Sequence, residues 1–213
     1  MIHVAVAGAG QWGRNHVRTL ASMRGVRLAW VIDPDPARRE AAEDLAPRAR
    51  TTDDLDEALA DPKLDALVVA SPGPTHHAVA RAAIAKGKHL LVEKPLTTSV
   101  ESSRDLVRRA KRANVLLGVG HLLVHHPAVR ALKKATDKAS FGPIRYFHCQ
   151  RTNLGRIRND EGALDGLAPH DISVMAHLLG RWPVGVQAVG ARHVQPHAED
   201  VVFLTLRFPG GVL

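Results

Sequence analysis

A single cysteine, Cys149, excludes an internal disulfide framework and a cysteine-based zinc site. Its place in an apolar, β-branched stretch reads as a plain strand residue. Phe, Trp and Tyr together make up only 4% of the chain, which leaves few stacking platforms for single-stranded nucleic acid. No apolar run reaches membrane-spanning length, and no basic-then-apolar leader precedes the first strand-like segment. A cytoplasmic protein with neither a membrane nor a nucleic-acid partner is expected. The thirteen histidines show no metal-ligand pattern. The spacing of His121 and His125 lacks the carboxylate that a metal helix would need, so no metal is expected.

Charge of one sign is what the chain has in excess, at +8. The one dense basic run, RDLVRRAKR at 104–112, places its cations at helical spacing around Leu106, Val107 and Ala110. That is the solvated face of an amphipathic helix. A basic surface equally suits an anionic small molecule, such as a dinucleotide or a nucleotide-sugar.

Over residues 1–120, short apolar runs alternate with longer amphipathic ones. Strands are expected at 2–7, 27–32, 50–51, 64–70, 89–92 and 115–119, and helices at 11–23, from Pro34 and Pro36 onward, 54–60, 75–86 and 99–113. Gly87 reads as a helix C-cap. This rhythm specifies βαβ units and a doubly wound parallel sheet, an α/β Rossmann domain. After His121 the rhythm changes. A helix at 128–139, a β-branched and aromatic strand at 144–152, a helix at 172–179 and strands at 184–191 and 201–208 suit an α+β domain with a mainly antiparallel sheet. The Pro-Gly-Gly turn at 209–211 followed by Val212-Leu213 reads as the opening of a return strand, so domain 121–213 is expected to be partial.

Gly8-x-Gly10-x-x-Gly13 follows a strand and opens a helix, the context that a dinucleotide fingerprint requires. Gly8 allows the tight turn, Gly10 lets the backbone approach a pyrophosphate, and Gly13 lets helix and strand pack closely. Gln11 and Trp12 complete the turn. Asp33, twenty residues on at the end of the second strand, suits the adenosine ribose hydroxyls and repels a 2′-phosphate, favouring NAD over NADP. Arg38 and Arg39 soften that preference. The plainer reading makes Asp33 only a helix cap before Pro34.

Ser71-Pro72 ends the fourth strand beside the crevice where open α/β sheets bind ligands. His76 opens the next helix, although a histidine there is more often a helix-end residue. Glu93-Lys94-Pro95 ends the fifth strand on the same side. Lys94 carries a cationic head suited to developing alkoxide charge, and Pro95 raises the prospect of a cis peptide that aims it.

The segments GAGQWGRNH and ASPGPTHHAVARAAIAKGKHLLVEKPL resemble the Gfo/Idh/MocA family of NAD(P)-dependent oxidoreductases, with EKP the most specific element. The resemblance implies hydride transfer between a hydroxyl-bearing carbon of a sugar or inositol and nicotinamide. It further implies that Lys94 faces the substrate behind a cis Lys94-Pro95 bond. An open C-terminal sheet that often forms a homo-oligomer interface is also implied, if that sheet is complete here. VGHLLVHHPAVRAL, QRTNLGRIRND and LAPHDISVM are similar to the nucleotide-sugar branch, which includes UDP-N-acetylhexosamine 3-dehydrogenases.

Within that branch His125, Arg151 and Asn153 correspond to substrate-facing positions, with Arg156 and Arg158 nearby. His170 matches the family's catalytic base. The family's acidic partner, four residues earlier, is Gly166 here, and Asp165 stands one residue further back. Either Asp165 replaces it through a shifted turn or the acid–base pair is incomplete; Asp171 is suited to capping or orienting. The expectation is an NAD-dependent dehydrogenase of a nucleotide-sugar. The rivals are a dehydrogenase of free aldoses or inositols, and a catalytically impaired NAD-binding protein or truncated remnant.

Overall fold

The computed structural model describes residues 1–152, 162–194 and 196–213. The chain divides into two compact units, Met1–Gly120 and His121–Leu213.

In the first unit six strands form one parallel sheet: β1 (Ile2–Ala7), β2 (Val26–Ile32), β3 (Arg50–Thr52), β4 (Ala66–Val69), β5 (His89–Val92) and β6 (Leu117–Val119). Their order is β3-β2-β1-β4-β5-β6, so the winding reverses between β1 and β4. Such a reversal opens a crevice at the strands' carboxyl ends. The crossovers carry α1 (Gly13–Ser22), α2 (Pro36–Leu45), α3 (Leu55–Leu59), α4 (His76–Ala85) and α5 (Val100–Ala113).

Successive side chains of a strand point to opposite faces, and both faces of this sheet are covered. Val4 and Val6 of β1 pack with Val17, Leu28 and Val31 on one side. Ala5 and Ala7 pack with Leu67, Val69, Ile84 and Leu106 on the other. Local chemistry sets the helix starts. The Asp35 side chain accepts from the Ala37 N–H ahead of Pro36, Asp54 caps α3, and Ser99 caps α5 by accepting from the Ser102 N–H.

The second unit holds α6 (Pro127–Thr136), α7 (Ala163–Leu179) and an antiparallel pair, β7 (Gly185–Ala191) and β8 (Val201–Arg207). Its core is Leu206, Phe208 and Val212, packed against Ile172, Met175, Leu179, Ile144 and Phe147.

Three expectations are corrected here. Residues 144–152 form no strand, and Cys149 is exposed on irregular chain. The Phe147 N–H does donate to the Leu213 carbonyl at 2.8 Å, yet no strand among the described residues pairs with this stretch. β-branched and aromatic residues favour a strand only where a pleated neighbour receives them. α7 starts at Ala163, not near Ile172, and contains Pro169. A proline removes one helical donor and bends a helix without having to end it when the turns on both sides are packed. Finally, Val212 and Leu213 follow a 3₁₀ turn, Pro209–Gly211, and are not a strand; Val212 is buried and its carbonyl accepts from the Phe208 N–H at 2.9 Å.

Among the described residues of this unit Phe208 is the largest fully buried side chain, 1% exposed. Phe208→Ala is expected to destabilise the unit by about 3–5 kcal/mol, read as a lower denaturant midpoint through the fluorescence of Trp182. An unchanged midpoint would remove Phe208 from the core.

Candidate functional site

The turn between β1 and α1 lies at the mouth of the crevice. Gly8 has φ +95°, and a Cβ there would lie 2.5 Å from the Ser71 backbone nitrogen at the end of β4. A Cβ on Gly13 would lie 1.8 Å from the Gly8 carbonyl oxygen. Neither distance is possible for a side-chain carbon, so both positions require glycine. Gly10 differs: the nearest atom to a Cβ there is Arg38 Nη1, 3.9 Å away. The space above Gly10 is open. No side chain caps α1 and its first turn holds no acidic residue. The Arg14, Asn15 and His16 N–H groups donate to the Gly10 and Trp12 carbonyls, so α1 offers an anion chiefly the positive end of its dipole. Gln11 and Trp12 are exposed beside it. This cradle fits a pyrophosphate.

Asp33 follows β2 and is 2% exposed. Its Oδ2 accepts from the Ala9 N–H at 2.7 Å and its Oδ1 from the Asp35 N–H at 3.0 Å. Arg38 Nη1 stands 3.7 Å from Oδ2. Arg39 donates instead to the carbonyls of Asp33 and Pro34. The helix cap is Asp35, so capping does not account for Asp33. Two bonds leave part of the carboxylate's accepting capacity in place, while Asp33 pins the glycine turn to the end of β2.

Ser71 Oγ lies 2.7 Å from Thr75 Oγ1, and Pro72 is exposed beside it. His76 is 1% exposed, with Nδ1 2.8 Å from the Pro95 carbonyl oxygen and Nε2 2.8 Å from the Ser71 carbonyl oxygen. Both ring nitrogens are engaged, so His76 ties β4 to the segment after β5 from behind and presents no atom to a dinucleotide. Lys94-Pro95 is cis. Lys94 is half-buried, and its N–H donates to Glu93 Oε2 at 3.3 Å.

Glu93 Oε1 accepts from Trp12 Nε1 at 2.7 Å and from His16 Nε2 at 2.8 Å. Burial pushes the Glu93 carboxyl up, but the His16, Trp12 and Lys94 donors together outweigh burial and hold it below the usual carboxylate range. Two partners were not among the expected site residues. His16 stands four residues after Trp12, a spacing that puts two side chains on one helix face and was there to be read. Gly120 had no such signal. A Cβ there would lie 2.8 Å from Glu93 Oε2, so its glycine is set by a contact 27 positions away in sequence.

In the second unit His170 lies within α7, not at a helix start, and its carbonyl accepts from Ser173 Oγ at 2.8 Å. Because α7 is continuous from Ala163, Asp165 lies about 140° around the helix from His170. It is exposed. The expectation that a shifted turn lets Asp165 replace the missing partner is therefore corrected: Gly166 shares the His170 face and Asp165 does not. Arg151 is bidentate on Asp171, with Nε and Nη2 at 2.9 and 2.7 Å from its oxygens, and that bond pushes the guanidinium further up. His125 is exposed at the end of a short 3₁₀ turn, Leu122–His125. Asn153, Arg156 and Arg158 lie outside the described residues. Among the described residues no three His, Cys, Asp or Glu side chains form a metal-binding group, and no helix is long and apolar enough to cross a membrane.

Comparison with known proteins gives two family matches. Residues 2–121 match the oxidoreductase family model with an NAD-binding Rossmann fold, and residues 129–213 match the GFO/IDH/MocA C-terminal domain. An inositol 2-dehydrogenase of Mycolicibacterium smegmatis is 40% identical over 71% of this chain and 45% of its own length. A UDP-N-acetylglucosamine 3-dehydrogenase of Acidithiobacillus ferrooxidans is 34% identical over 93% of this chain and 62% of its own. The chain thus spans between about half and two thirds of these relatives. Among solved structures, GenD2 from gentamicin A biosynthesis, in complex with NAD, is similar with TM-score 0.86 and 31% identity over 99% of this chain and 63% of that one. The chain belongs to the GFO/IDH/MocA oxidoreductase family, and Met1–Gly120 is its NAD-binding Rossmann unit.

Proposed function

We propose that the chain takes part in oxidising a secondary hydroxyl on a polyhydroxylated ring with NAD. The observation that carries this reading is the conjunction, within one unit, of the open cradle above Gly10 with Lys94 at the carboxyl end of β5. When bound, the nicotinamide supplies the hydride acceptor. The chain's own residues do the rest. Gly8, Gly10 and Gly13, with the positive end of the α1 dipole, hold the pyrophosphate; Gln11 borders it. Asp33 receives the adenosine ribose. Ser71 and Pro72 border the crevice. The Lys94 ammonium donates to the reacting oxygen and stabilises the negative charge that grows on it. His170 has the role of accepting the hydroxyl proton.

Two substrate classes have support. The Acidithiobacillus relative supports a nucleotide-sugar. A specific observation favours a second reading, free inositol. The Arg151 fork is closed on Asp171, so its charge is already neutralised within the protein and is a poor anchor for a substrate phosphate. The Mycolicibacterium relative supports the same reading. A third class, an NAD-binding protein without turnover, is motivated by Gly166 on the His170 face.

Gly10→Val places carbon in empty space, so the fold should hold while NAD affinity falls about 10-fold or more. Calorimetric titration alongside a thermal melt checks this, and unchanged affinity would move the pyrophosphate off this turn. Lys94→Ala should lower kcat/KM by about 100-fold or more with NAD affinity within a few-fold, followed by NADH absorbance. For the wild-type chain, NADH formation with inositols and not with UDP-N-acetylhexosamines selects the neutral ring, and the converse selects the nucleotide-sugar. NAD binding without turnover of either, or of free aldoses, rejects the dehydrogenase reading.

A further inference from the structure

We infer that Glu93 is a positioning residue, and that the Trp12–Glu93–His16 network is a clasp coupling occupation of the glycine turn to the placement of Lys94. This inference rests on the reading of the turn as the NAD pyrophosphate seat.

Glu93 stands beside Lys94 at the end of β5, where a carboxylate facing the crevice is the natural candidate for a ribose contact. Its oxygens are used otherwise. Oε1 receives two side-chain donors from across the crevice: the indole Nε1 of Trp12, inside the glycine turn, and the imidazole Nε2 of His16, one turn into α1. Oε2 receives the backbone N–H of Lys94 at 3.3 Å. The Glu93 side chain is 13% exposed and lies against Gly120, where any Cβ would come within 2.8 to 3.1 Å of its carboxylate atoms. β6 thus closes the carboxylate's remaining side. A carboxylate in such surroundings is retained only if its donors are in place.

The consequence is mechanical. One carboxylate oxygen is bonded to the loop that seats the pyrophosphate, and the other to the peptide that carries the reacting lysine. Trp12 itself remains 47% exposed, so its ring borders the cradle while its N–H points inward. An anion that settles on the turn and shifts Trp12 shifts the Glu93 carboxylate with it, and so the Lys94 peptide. A surface ion pair would have no such reach. The geometry instead makes the turn, the carboxylate and the lysine peptide one hydrogen-bonded chain from β1 to β5.

A double-mutant cycle on NAD affinity tests the coupling, with Trp12→Phe, Glu93→Gln and the double variant titrated by calorimetry after thermal melts establish that each is folded. Each single change should weaken NAD about 10-fold, the scale of a charge-assisted hydrogen bond, and the double variant should be no weaker than the worse single one. His16→Gln keeps an N–H donor and should stay near wild type, whereas His16→Ala should follow Glu93→Gln. An independent readout needs no turnover. The Trp12 indole N–H resonance should move upfield in Glu93→Gln and should shift when NAD is added to the wild type. Additive effects in the cycle, or an indole resonance indifferent to both Glu93→Gln and NAD, would overturn the clasp. Failure of the wild type to bind NAD would reject the cofactor reading, while the indole response to Glu93→Gln in the NAD-free protein would still report whether the network exists.

Discussion

Two backbones touch where no side chain can stand. The Gly13 α-carbon comes so close to the Gly8 carbonyl that a Cβ would overlap it, and Gly8 in turn presses on the Ser71 peptide at the end of β4. This contact lets α1 start immediately over the sheet, beside the point where the winding reverses. The features argued for the site follow from that placement. The positive end of α1 lies beside the crevice, Gly10 lies open above it, and Trp12 and His16 come within reach of the end of β5. Methyl groups at Gly8 or Gly13 would lift the helix away, and with it the donors that keep Glu93 ionised in a mostly enclosed position.

Two acidic side chains then lock the turn from opposite sides. Asp33, at the end of β2, accepts from the Ala9 N–H; Glu93, at the end of β5, accepts from the Trp12 and His16 side chains. A buried carboxylate without donors is costly enough to take up a proton or turn outward. Each of these takes one donor from the same short loop, Ala9 for Asp33 and Trp12 for Glu93, so loop and carboxylates stabilise one another. His76 adds a third tie, between the Ser71 and Pro95 carbonyls. These ties hold the ends of β2, β4 and β5 around the glycine turn by hydrogen bonds internal to the protein.

The Rossmann half was legible in the sequence because its signals are local. Glycine spacing, strand periodicity and caps such as Ser99 and Asp54 act over a few residues, and strand and helix boundaries came within a few positions. What could not be read were contacts between distant segments. The engagement of both His76 nitrogens, the fit of Gly120 against Glu93 and the closure of Arg151 on Asp171 depend on which loops meet in space. The second unit misled for a different reason. Ile144, Phe147 and Val212 are apolar because they cover a small core built around Phe208, and that requirement imitates strand patterning without a ladder. The helix expected at 172–179 begins at Ala163 and runs through Pro169.

The same distinction between local pattern and spatial meeting bears on substrate class. The resemblance of QRTNLGRIRND to the nucleotide-sugar branch puts Arg151 at a substrate-facing position, and a net charge of +8 suits an anionic small molecule. Recognition requires charge left over after the protein's own pairing, however, and Arg151 has none to offer while Asp171 holds both prongs of its fork. The pair has another use. Asp171 follows His170 directly on α7, so a bidentate bond to Arg151 fixes the rotation of that helical turn and limits the directions open to the histidine. With Gly166 in place of an acidic neighbour on the His170 face, the bidentate Arg151–Asp171 pair braces the turn of α7 that carries the histidine.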